Sequence, residues 1–294
     1  MQFDRQALTQ WLESLRPPGT TGWVWNCQIF EQLPSTNRTL WEHLDQGATS
    51  GTIVIALEQT AGRGQWGRQW QSPPGGLYLS LGLLLDLAIA QSARLTLGSA
   101  WGIATVLGDW GIPVQLKWPN DLLLGHHKLG GILTETRIHQ GRISQAVIGV
   151  GINWCNAVPA SGISLQSFLK APEYTDCRFN RQPPTLEFLA ALVVQGLLTG
   201  YQTWQQPDIA PLLIAYEQLL TGLGAAIVVE GEPGVILGVT ASGALRVGLD
   251  PPRKGDLTGS ELHLQPGMIS LGYPQTNTSE YNGQREPNHE GKQQ

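Results

Sequence analysis

Apolar residues recur along the first three quarters of the chain with two periods, one typical of helices and one typical of strands. Spacings of three and four residues behind Asp4 predict a short helix over residues 4–15, capped by the Asp4 side chain. Further helices are predicted over residues 91–110, 185–204 and 208–220. Strands are predicted over residues 51–60, 75–85, 113–119, 128–138 and 143–154. The alternation of these elements predicts an α/β or α+β fold in which helices flank a central sheet.

The pattern changes at Leu223, where short strands punctuated by glycine replace the longer elements. Residues 223–271 are therefore predicted to form a separate small β-barrel. Beyond residue 271 the sequence is too polar to pack a core, and residues 272–294 are predicted to be a disordered tail. The main domain, residues 1–222, includes the short N-terminal helix.

Composition and charge narrow the class of protein. The 294 residues include 41% hydrophobic and 14% charged side chains, as in an ordinary globular protein. The formal net charge of −5 argues against a general nucleic-acid binder. No apolar run approaches the roughly 18 residues that a membrane span needs, and the N-terminus lacks the features of a signal peptide, so a cytoplasmic location is expected. The cysteines fit neither a metal-binding nor a disulfide spacing.

The segment GRGQWGR, residues 62–68, joins two predicted strands and is the first candidate for ligand chemistry. Its three glycines allow the backbone to approach a ligand closely, and Arg63 and Arg68 add positive charge that suits a phosphate or carboxylate. It is not a Walker loop, since no Lys-Ser/Thr pair follows the last glycine, and it does not open a helix as a dinucleotide fingerprint does. Taken alone, a flexible hairpin with solvated arginines explains it equally well.

A second candidate is KWPND, residues 117–121, at the end of a predicted strand. Pro119 cannot donate to a strand ladder, and the following Asn and Asp favour a turn, so Lys117 points either into a cleft or into water. In one interpretation the Lys117 ammonium holds an anionic substrate while Asp121 orients it. In the other, Lys117 is solvated and Asp121 is a turn residue. Paired glycines in LGGIL, residues 129–133, indicate close approach by a ligand or another backbone.

Two shorter segments carry polar groups at the ends of predicted elements. PSTN, residues 34–37, precedes a helical run, where a capping role is the simplest interpretation. GVGIN, residues 149–153, ends a strand with two glycines and an amide, and it fits either a turn or a contact with a nucleotide. His126 and His127 fall in a predicted hairpin turn, so both are expected to be solvated rather than to bind a metal.

Four segments, taken together, resemble the biotin–protein ligase family in their order and separation: STN, EQTAGRGQWGRQW, KWPNDLLLGHHKLGGILTE and GVGIN. The resemblance covers about residues 30–220, and the segment ending in GMISLG is similar to the family's C-terminal domain. It implies a catalytic domain like that of class II synthetases, with a mixed central sheet and flanking helices, followed by an SH3-like β-barrel. The implied reaction joins biotin and ATP into biotinyl-5′-AMP, with Mg²⁺ on the phosphates. The biotinyl group then passes to one lysine of the biotin carboxyl carrier protein of acetyl-CoA carboxylase.

The resemblance also implies roles for particular residues, with Lys117 and Arg63 as the catalytic pair. The residues implied to bind biotin are Ser35, Thr36, Asn37, Gln59, Gly62, Arg63, Gly64, Gln65, Lys117 and Gly131. The residues implied to bind the nucleotide and its phosphates are Arg63, Arg68, Trp70, Asn120, Asp121, Asn153 and Arg181. Lys117 would hold the acyl-phosphate oxygens, and Asp121 would fix the turn that carries it. Neither metal ligands nor a general base for the acceptor lysine follow from the sequence.

The chain departs from the family pattern in two places. Only 34 residues precede Ser35, which predicts a monofunctional ligase without the winged-helix DNA-binding domain that some members carry. Nucleic acid and membrane are therefore not expected as partners, whereas a homodimer stays open. In the loop, Gln65 and Trp66 stand where the family pattern often has arginines, and Trp66 is predicted to cover the bound intermediate with its apolar surface.

Two other functions are compatible with the same residues. A lipoate–protein ligase or octanoyltransferase shares the catalytic fold, although the GRGQWGR loop together with KWPND favours biotin. A non-catalytic module that binds biotin or a nucleotide is the alternative of a different class. Neither would catalyse a biotin-dependent exchange of pyrophosphate into ATP.

Overall fold

The computed structural model of this chain describes residues 3–20, 23–175, 177–181, 184–249, 261–271 and 280–284. Six α-helices lie among these residues: α1 (Arg5–Ser14), α2 (Thr36–Asp45), α3 (Ala93–Asp109), α4 (Leu165–Leu169), α5 (Leu186–Trp204) and α6 (Ala210–Leu219). The same ranges contain thirteen strands: β1 (Asn26–Phe30), β2 (Thr52–Ala56), β3 (Leu77–Ala88), β4 (Val114–Lys117), β5 (Asp121–Leu124), β6 (His127–His139), β7 (Arg142–Ile152), β8 (Ala226–Val229), β9 (Glu232–Val239), β10 (Leu245–Leu249), β11 (Glu261–Leu264), β12 (Ser270–Leu271) and β13 (Glu280–Gln284).

The four longer predicted helices are present, as α1, α3, α5 and α6, with ends that differ by at most two residues. Asp4 caps α1 as predicted, because its side chain accepts hydrogen bonds from the amides of Gln6 (2.8 Å) and Ala7 (3.0 Å). The sequence pattern does not reveal β1 and β5. Strand β1 is a half-buried edge strand without alternation, and β5 starts directly after the turn at Pro119.

The central sheet has seven strands in the order β1-β2-β3-β7-β6-β5-β4. Strands β1 and β2 are parallel and every other neighbouring pair is antiparallel, so the sheet is mixed, as the resemblance implies. Alternate residues of β2 face opposite sides, since Val54 packs against α2 whereas Ile53 and Ile55 join the larger core with α3 and α5. The predicted α/β fold with a mixed sheet and flanking helices is confirmed.

Strands β4 and β5 form a tight hairpin in which Lys117 and Asp121 are directly paired. Strand β5 then pairs with β6, which places Gly131 opposite Asp121. The segment WPND is therefore the turn of a hairpin as well as the end of a strand. This register brings the two charged residues of KWPND and the paired glycines of LGGIL to the same part of the sheet.

The C-terminal module comprises the described residues 223–249, 261–271 and 280–284, and it contains a six-stranded sheet in the order β11-β10-β9-β8-β13-β12. Two hydrogen bonds join it to the main domain: Trp118 Nε1 donates to Gly243 O (2.9 Å), and Val239 N donates to Glu217 Oε1 (2.8 Å). The predicted small β-unit after Leu223 is confirmed as a sheet. Its closure into a barrel and the domain boundaries stay predictions.

Strand β13 pairs in parallel with β8, although it lies within the stretch predicted to be a disordered tail. The prediction needs correction for these five residues, 280–284. Their polar composition does not prevent pairing, because the bonds to β8 are made by the backbone at an open sheet edge. The remainder of the predicted tail, residues 272–279 and 285–294, lies outside the described residues.

Glycines let α3 and α5 pack with their backbones in contact. A Cβ on Gly102 of α3 would overlap Gly196 O and lie 2.7 Å from Gly200 N, both in α5. Reciprocally, a Cβ on Gly200 would overlap Gly98 O in α3. Since no side chain separates the helices at these positions, α3 and α5 form one rigid layer against the sheet.

We expect Gly102→Ala to lower the free energy of unfolding by about 1–3 kcal/mol, because the added methyl group overpacks the α3–α5 contact. Gly108→Ala is the matched control in the same helix, since a Cβ at Gly108 meets nothing within 4 Å. That change should be neutral or stabilise the protein by up to about 1 kcal/mol. Urea unfolding followed by circular dichroism measures both changes, and equal stabilities of the two variants would contradict the close glycine packing.

Candidate ligand-binding site

A cleft with an empty volume of about 960 Å³ lies over the central sheet, where the β4–β5 hairpin meets β6, β7, the start of α2 and the loop after β2. We refer to residues 62–68 of that loop as the ligand loop. Thirteen of the predicted site residues line the cleft: Ser35, Thr36, Asn37, Gln59, Arg63, Gly64, Gln65, Arg68, Trp70, Lys117, Asn120, Asp121 and Gly131. The C-terminal module adds Ile269 and Leu271 to the wall. Segments that are far apart in the sequence thus share one cavity.

Lys117, Asp121 and Lys128 form a charged group in the cleft, which we call the Asp121 cluster. Lys128 Nζ lies 2.6 Å from Asp121 Oδ1, and Lys117 Nζ lies 3.7 Å from Asp121 Oδ2. Gly131 lies beside this pair, and a Cβ there would lie 3.5 Å from Asp121 Oδ1 and 3.7 Å from Lys128 Nζ. The Lys128 side chain therefore passes next to Gly131 on its way to Asp121. With two cations and one anion, the cluster presents net positive charge to the cleft.

Lys117 is the more deeply placed of the two lysines, with 9% of its side chain exposed against 25% for Lys128. Burial lowers the pKa of Lys117 from 10.5 to about 8; Asp121 opposes this shift, whereas Lys128 and Arg68 add to it. Lys117 therefore still carries its charge at neutral pH, at a cost in desolvation. A bound anion would offset that cost.

The start of α2 forms a polar wall of the cleft. Ser35 occupies the N-cap position, but its side chain makes no capping hydrogen bond, so the simplest interpretation of PSTN is wrong for this hydroxyl. Thr36 N donates to Gln59 Oε1 (2.9 Å), and Gln59 Nε2 donates to Ser72 Oγ (2.8 Å). Ser80 Oγ lies 2.8 Å from Thr36 Oγ1. This network fixes the orientation of Thr36 and Gln59 before any ligand binds.

Asn37 and Glu135 connect the start of α2 to the ligand loop. Asn37 Oδ1 accepts from Ser80 Oγ (2.6 Å), and Asn37 Nδ2 donates to Glu135 Oε2 (2.8 Å). The same carboxylate oxygen accepts from Arg63 Nη2 (2.9 Å). Gly149 makes this arrangement possible, because a Cβ there would overlap Asn37 Oδ1. Asn37 thus has a positioning role, and Arg63 is held beside the cleft by an ion pair.

Trp70 packs against the sheet at Gly151, where a Cβ would lie 2.5 Å from the indole Nε1. That N–H is buried and has no hydrogen-bond partner among the described residues. Lys128 Nζ lies 5.2 Å from the centre of the ring. A buried donor without an acceptor is costly, and this N–H is packed against the sheet at Gly151.

The ligand loop is a closed turn held at its base. Trp70 N donates to Gly62 O (3.0 Å), and Gly64 N donates to Arg68 O (2.7 Å). A Cβ on Gly62 would lie 2.5 Å from both Ser72 Oγ and Trp70 O, so only glycine allows the base to close. Gly62 therefore supports the loop from below and is not among the residues that line the cleft.

Comparison with known proteins identifies the family. The sequence profile of the Biotin/lipoate A/B protein ligase family matches residues 29–153. The Bifunctional ligase/repressor BirA of Escherichia coli is 33% identical over 223 residues, which cover 74% of this chain and 67% of that protein. The protein of the same name from Salmonella typhimurium is 31% identical over 226 residues, which cover 75% and 68%. This chain belongs to the biotin/lipoate A/B protein ligase family.

Two further comparisons define the extent of the likeness. The BirA protein of Bacillus subtilis is 40% identical over 123 residues, so the chain spans only 38% of the length of that relative. A solved structure, the biotin protein ligase from Aquifex aeolicus in complex with biotin and ATP, superposes with a TM-score of 0.62 at 23% identity, covering 85% of this chain and 99% of that chain. This second likeness bears on the fold. The predicted relationship to biotin–protein ligases is confirmed.

Besides Gly62, two predicted site residues of this ligase-family member do not line the cleft, Asn153 and Arg181. Asn153 Nδ2 donates to Lys128 O (3.3 Å), and its Oδ1 accepts from Asn156 Nδ2 (3.1 Å), so its amide supports the backbone next to the cleft. Arg181 ends a short 3₁₀ turn that is anchored in the core by Phe179. The assignment of either residue to the nucleotide stays a prediction.

Lys128 and Glu135 also belong to the site of this family member, although the sequence motifs do not indicate either residue. Both stand in the quoted segment KLGGILTE, but only the register between β5 and β6 shows that Lys128 reaches Asp121. Glu135 gains its importance from partners that are distant in sequence, Asn37 and Arg63. Spacing alone therefore offers no signal for either residue.

A metal site is not apparent in the described part of this ligase-family chain, which contains no group of three or more His, Cys, Asp or Glu side chains that could hold an ion. Among the described residues that line the cleft, Asp121 has the one carboxylate, and this carboxylate already forms an ion pair with Lys128. These residues do not fit a protein-bound Mg²⁺, which on a nucleotide can take its oxygens from phosphates and water. His126 and His127 are exposed, as predicted.

We expect Lys117→Met to retain or raise the free energy of unfolding of the ligand-free protein at pH 7, because it replaces a buried charge by an apolar side chain of similar length. The pKa of Lys117 is about 8 in the folded protein and 10.5 ordinarily. Between these values the unfolded chain binds more protons, so the wild type should gain stability as pH rises, and the variant should lack this gain.

Urea unfolding of both proteins at pH 7 and pH 9 measures the difference. A Lys117→Met protein that is less stable at pH 7 by more than about 2 kcal/mol, a large single-site effect, would show that the lysine serves the fold.

Proposed function

We propose that this protein is an ATP-dependent biotin–protein ligase, which activates biotin as biotinyl-5′-AMP and transfers the biotinyl group to a lysine of a biotin carboxyl carrier protein. One observation carries the proposal: the Asp121 cluster and the ligand-loop arginines Arg63 and Arg68 line the same cleft. Family membership supplies the substrate class, since the family description and the matched relatives name biotin or lipoate and a ligase activity.

The first step requires this concentration of positive charge. A carboxylate oxygen of biotin attacks the α-phosphorus of ATP, a new P–O bond forms, and the bond to pyrophosphate breaks. Both reactants are anions, and negative charge develops on the transferred phosphate oxygens. Lys117 and Lys128 stabilise that charge from the sheet, and Arg63 stabilises it from the ligand loop. Because the cluster is largely buried, the interactions are stronger than they would be in water.

In the second step, the cations of the cleft stabilise the phosphate as it leaves the acyl group. The neutral amine of the acceptor lysine attacks the acyl carbon, a C–N bond forms, AMP leaves with the electron pair of the C–O bond, and the amine gives up one proton to water. The cations that stabilise the mixed anhydride also stabilise the departing phosphate. The proposal assigns no general base to this step.

The walls of the cleft match the two ends of the biotin molecule. Apolar surface comes from Ile132, Leu133 and Val150, which suits the bicycle and the valeryl chain. Hydrogen-bonding groups come from Ser35, Thr36 and Gln59, which we assign to the ureido edge.

We assign the remaining polar groups to the nucleotide, with the indole of Trp70 at the base and Arg68 and Asn120 near the phosphates. Gly64 and Gln65 would cover the ligand with loop backbone and side chain. Mg²⁺ would bind through the nucleotide, and it would reduce the charge that the protein must neutralise.

Transfer of lipoate or octanoate is the second candidate, since the family includes lipoate ligases by its description. Both substrates offer a carboxylate but no ureido group. With either of them bound, the polar side chains of Ser35, Thr36 and Gln59 would face an alkyl chain. Their hydrogen-bonding groups would then have no partner, which would weaken binding. This wall favours biotin. A non-catalytic module that binds biotin or a nucleotide would use the same cations, but it would not catalyse biotin-dependent exchange of pyrophosphate into ATP.

The proposed partner is a carboxyl carrier protein, and the expected location is the cytoplasm. None of the helices in the described ranges combines the length and hydrophobicity needed to span a bilayer. That the protein does not bind DNA stays a prediction, and whether it forms a homodimer stays open.

The function is tested by exchange of radiolabelled pyrophosphate into ATP with biotin, lipoate or octanoate as the acid. Of the three acids, we expect only biotin to support exchange, because only its ureido group can form hydrogen bonds with Ser35, Thr36 and Gln59. Exchange that is faster with lipoate or octanoate would establish the second candidate. The absence of exchange with all three acids, in a protein that binds biotin by calorimetry, would leave a binding module.

We expect Lys128→Met to slow biotin-dependent exchange by about ten- to a hundredfold, the rate equivalent of one charge-assisted hydrogen bond. Lys170→Met is the matched control, because Lys170 is exposed and does not line the cleft. Initial rates at saturating biotin and ATP give the comparison. If both variants retain the wild-type rate, Lys128 has no part in adenylate formation.

A further inference from the structure

Trp66, at the tip of the ligand loop, packs against a residue of the C-terminal module. A Cβ built on Gly267 would lie 2.5 Å from Trp66 Nε1 and 2.9 Å from Cε2. The indole therefore rests directly on the backbone at Gly267. Any side chain at that position would occupy the space of the ring, so the contact requires glycine.

The backbone of Gly267 imposes the same requirement independently. Its φ of +92° lies in the left-handed region, which favours glycine. Gly267 lies in the same short segment as Ile269 and Leu271, two residues that line the cleft. The segment that carries the contact with Trp66 thus also forms part of the cleft wall.

Trp66 itself has an unusual backbone conformation. Its φ of 54° lies in the left-handed region, where a residue with a large side chain is strained unless its surroundings hold it. Its ring is 43% exposed, and the Arg68 guanidinium lies 5.9 Å from the ring centre. The contact with Gly267 offsets the strain by giving the indole a packed surface.

The module is itself fixed relative to the cleft. The indole N–H of Trp118, in the turn of the β4–β5 hairpin, donates to Gly243 O of the module (2.9 Å). Trp118 directly follows Lys117 of the Asp121 cluster. One side of the module is therefore tied to the floor of the cleft, and another carries the contact with the ligand loop.

We propose that Gly267 is a positioning residue that holds Trp66, and through it the ligand loop, over the occupied cleft. The inference rests on the proposed function and extends it: the C-terminal module controls how long biotinyl-AMP stays bound. Gln65 and Trp66, at the tip of the ligand loop, carry no charge. Retention thus depends on packing between two domains rather than on ionic contacts from the loop.

A first experiment tests the contact without reference to catalysis. Hydrogen exchange measured by mass spectrometry reports the amides of Gly64 and Arg68, which are bonded within the closed loop. Trp66→Ala and Gly267→Ala should each speed exchange of the loop peptide about three- to tenfold, the equivalent of one aromatic contact. Gly231→Ala is the matched control, since Gly231 has a similar φ of +87° but nothing within 4 Å of a Cβ.

A second experiment follows release of preformed, labelled biotinyl-AMP during a chase with excess unlabelled biotin and ATP. Trp66→Ala and Gly267→Ala should speed release by the same factor, more than they slow adenylate formation. Trp66→Phe keeps an aromatic ring and should have a smaller effect. In the double variant, Gly267→Ala should add little to Trp66→Ala, because the contact is already absent.

The outcomes separate the two proposals. If Gly267→Ala behaves like Gly231→Ala in hydrogen exchange, or if the effects of Trp66→Ala and Gly267→Ala add fully, the contact does not hold the loop and the inference is wrong. If the loop opens in both variants but release is unaltered, the module positions the loop without controlling retention, which also overturns the inference. If the wild type forms no adenylate, the proposed function fails, and hydrogen exchange still decides the contact.

Discussion

Two lysines share one carboxylate in the cleft, and the geometry of the site depends on this sharing. Lys117 is paired with Asp121 by the register of the β4–β5 hairpin, and Lys128 reaches the same carboxylate from β6. A buried ammonium without a partner would lose its proton or unfold the hairpin, so the position of Asp121 beside both lysines is essential to the site. The residual positive charge is then available to an anionic ligand. Because the turn between the pair also carries Trp118, the same hairpin fixes the C-terminal module.

Glycines on β7 give this charge a shaped cavity. Gly149 admits the Asn37 amide, which orients Glu135 and through it Arg63, and Gly151 admits the Trp70 ring. Larger residues at these positions would push the polar wall and the indole into the cleft. The cleft is therefore formed before a ligand arrives, which reduces the entropy that binding must overcome.

Local patterns predict much of the fold, because helical spacing and capping are properties of neighbouring residues. Helices α1, α3, α5 and α6 follow from them, whereas the short helix α4 does not. Strand β5 does not, since a turn signal at Pro119 masks a hairpin that only pairing reveals. For the same reason Lys117 is evident from KWPND, whereas Lys128 depends on the register between strands.

The site shows the same division. Thirteen of the residues that the family resemblance implies lie at one cleft, whereas Gly62, Asn153 and Arg181 do not line it. The roles of Asn153 and Arg181 toward the nucleotide stay predictions. The contact between Trp66 and Gly267 joins residues two hundred positions apart and involves a glycine without side-chain chemistry. No motif could indicate it, because it arises from the docking of the C-terminal module.

The central claim is that the Asp121 cluster, with Arg63, binds an acyl-phosphate anion. A crystal structure with a non-hydrolysable analogue of biotinyl-AMP tests it most directly. The account predicts that the linkage between the acyl group and the phosphate lies within hydrogen-bond distance of Lys128 Nζ, with the bicycle at Ser35, Thr36 and Gln59. An analogue bound with that linkage turned away from the cluster, or at another place on the protein, would contradict it.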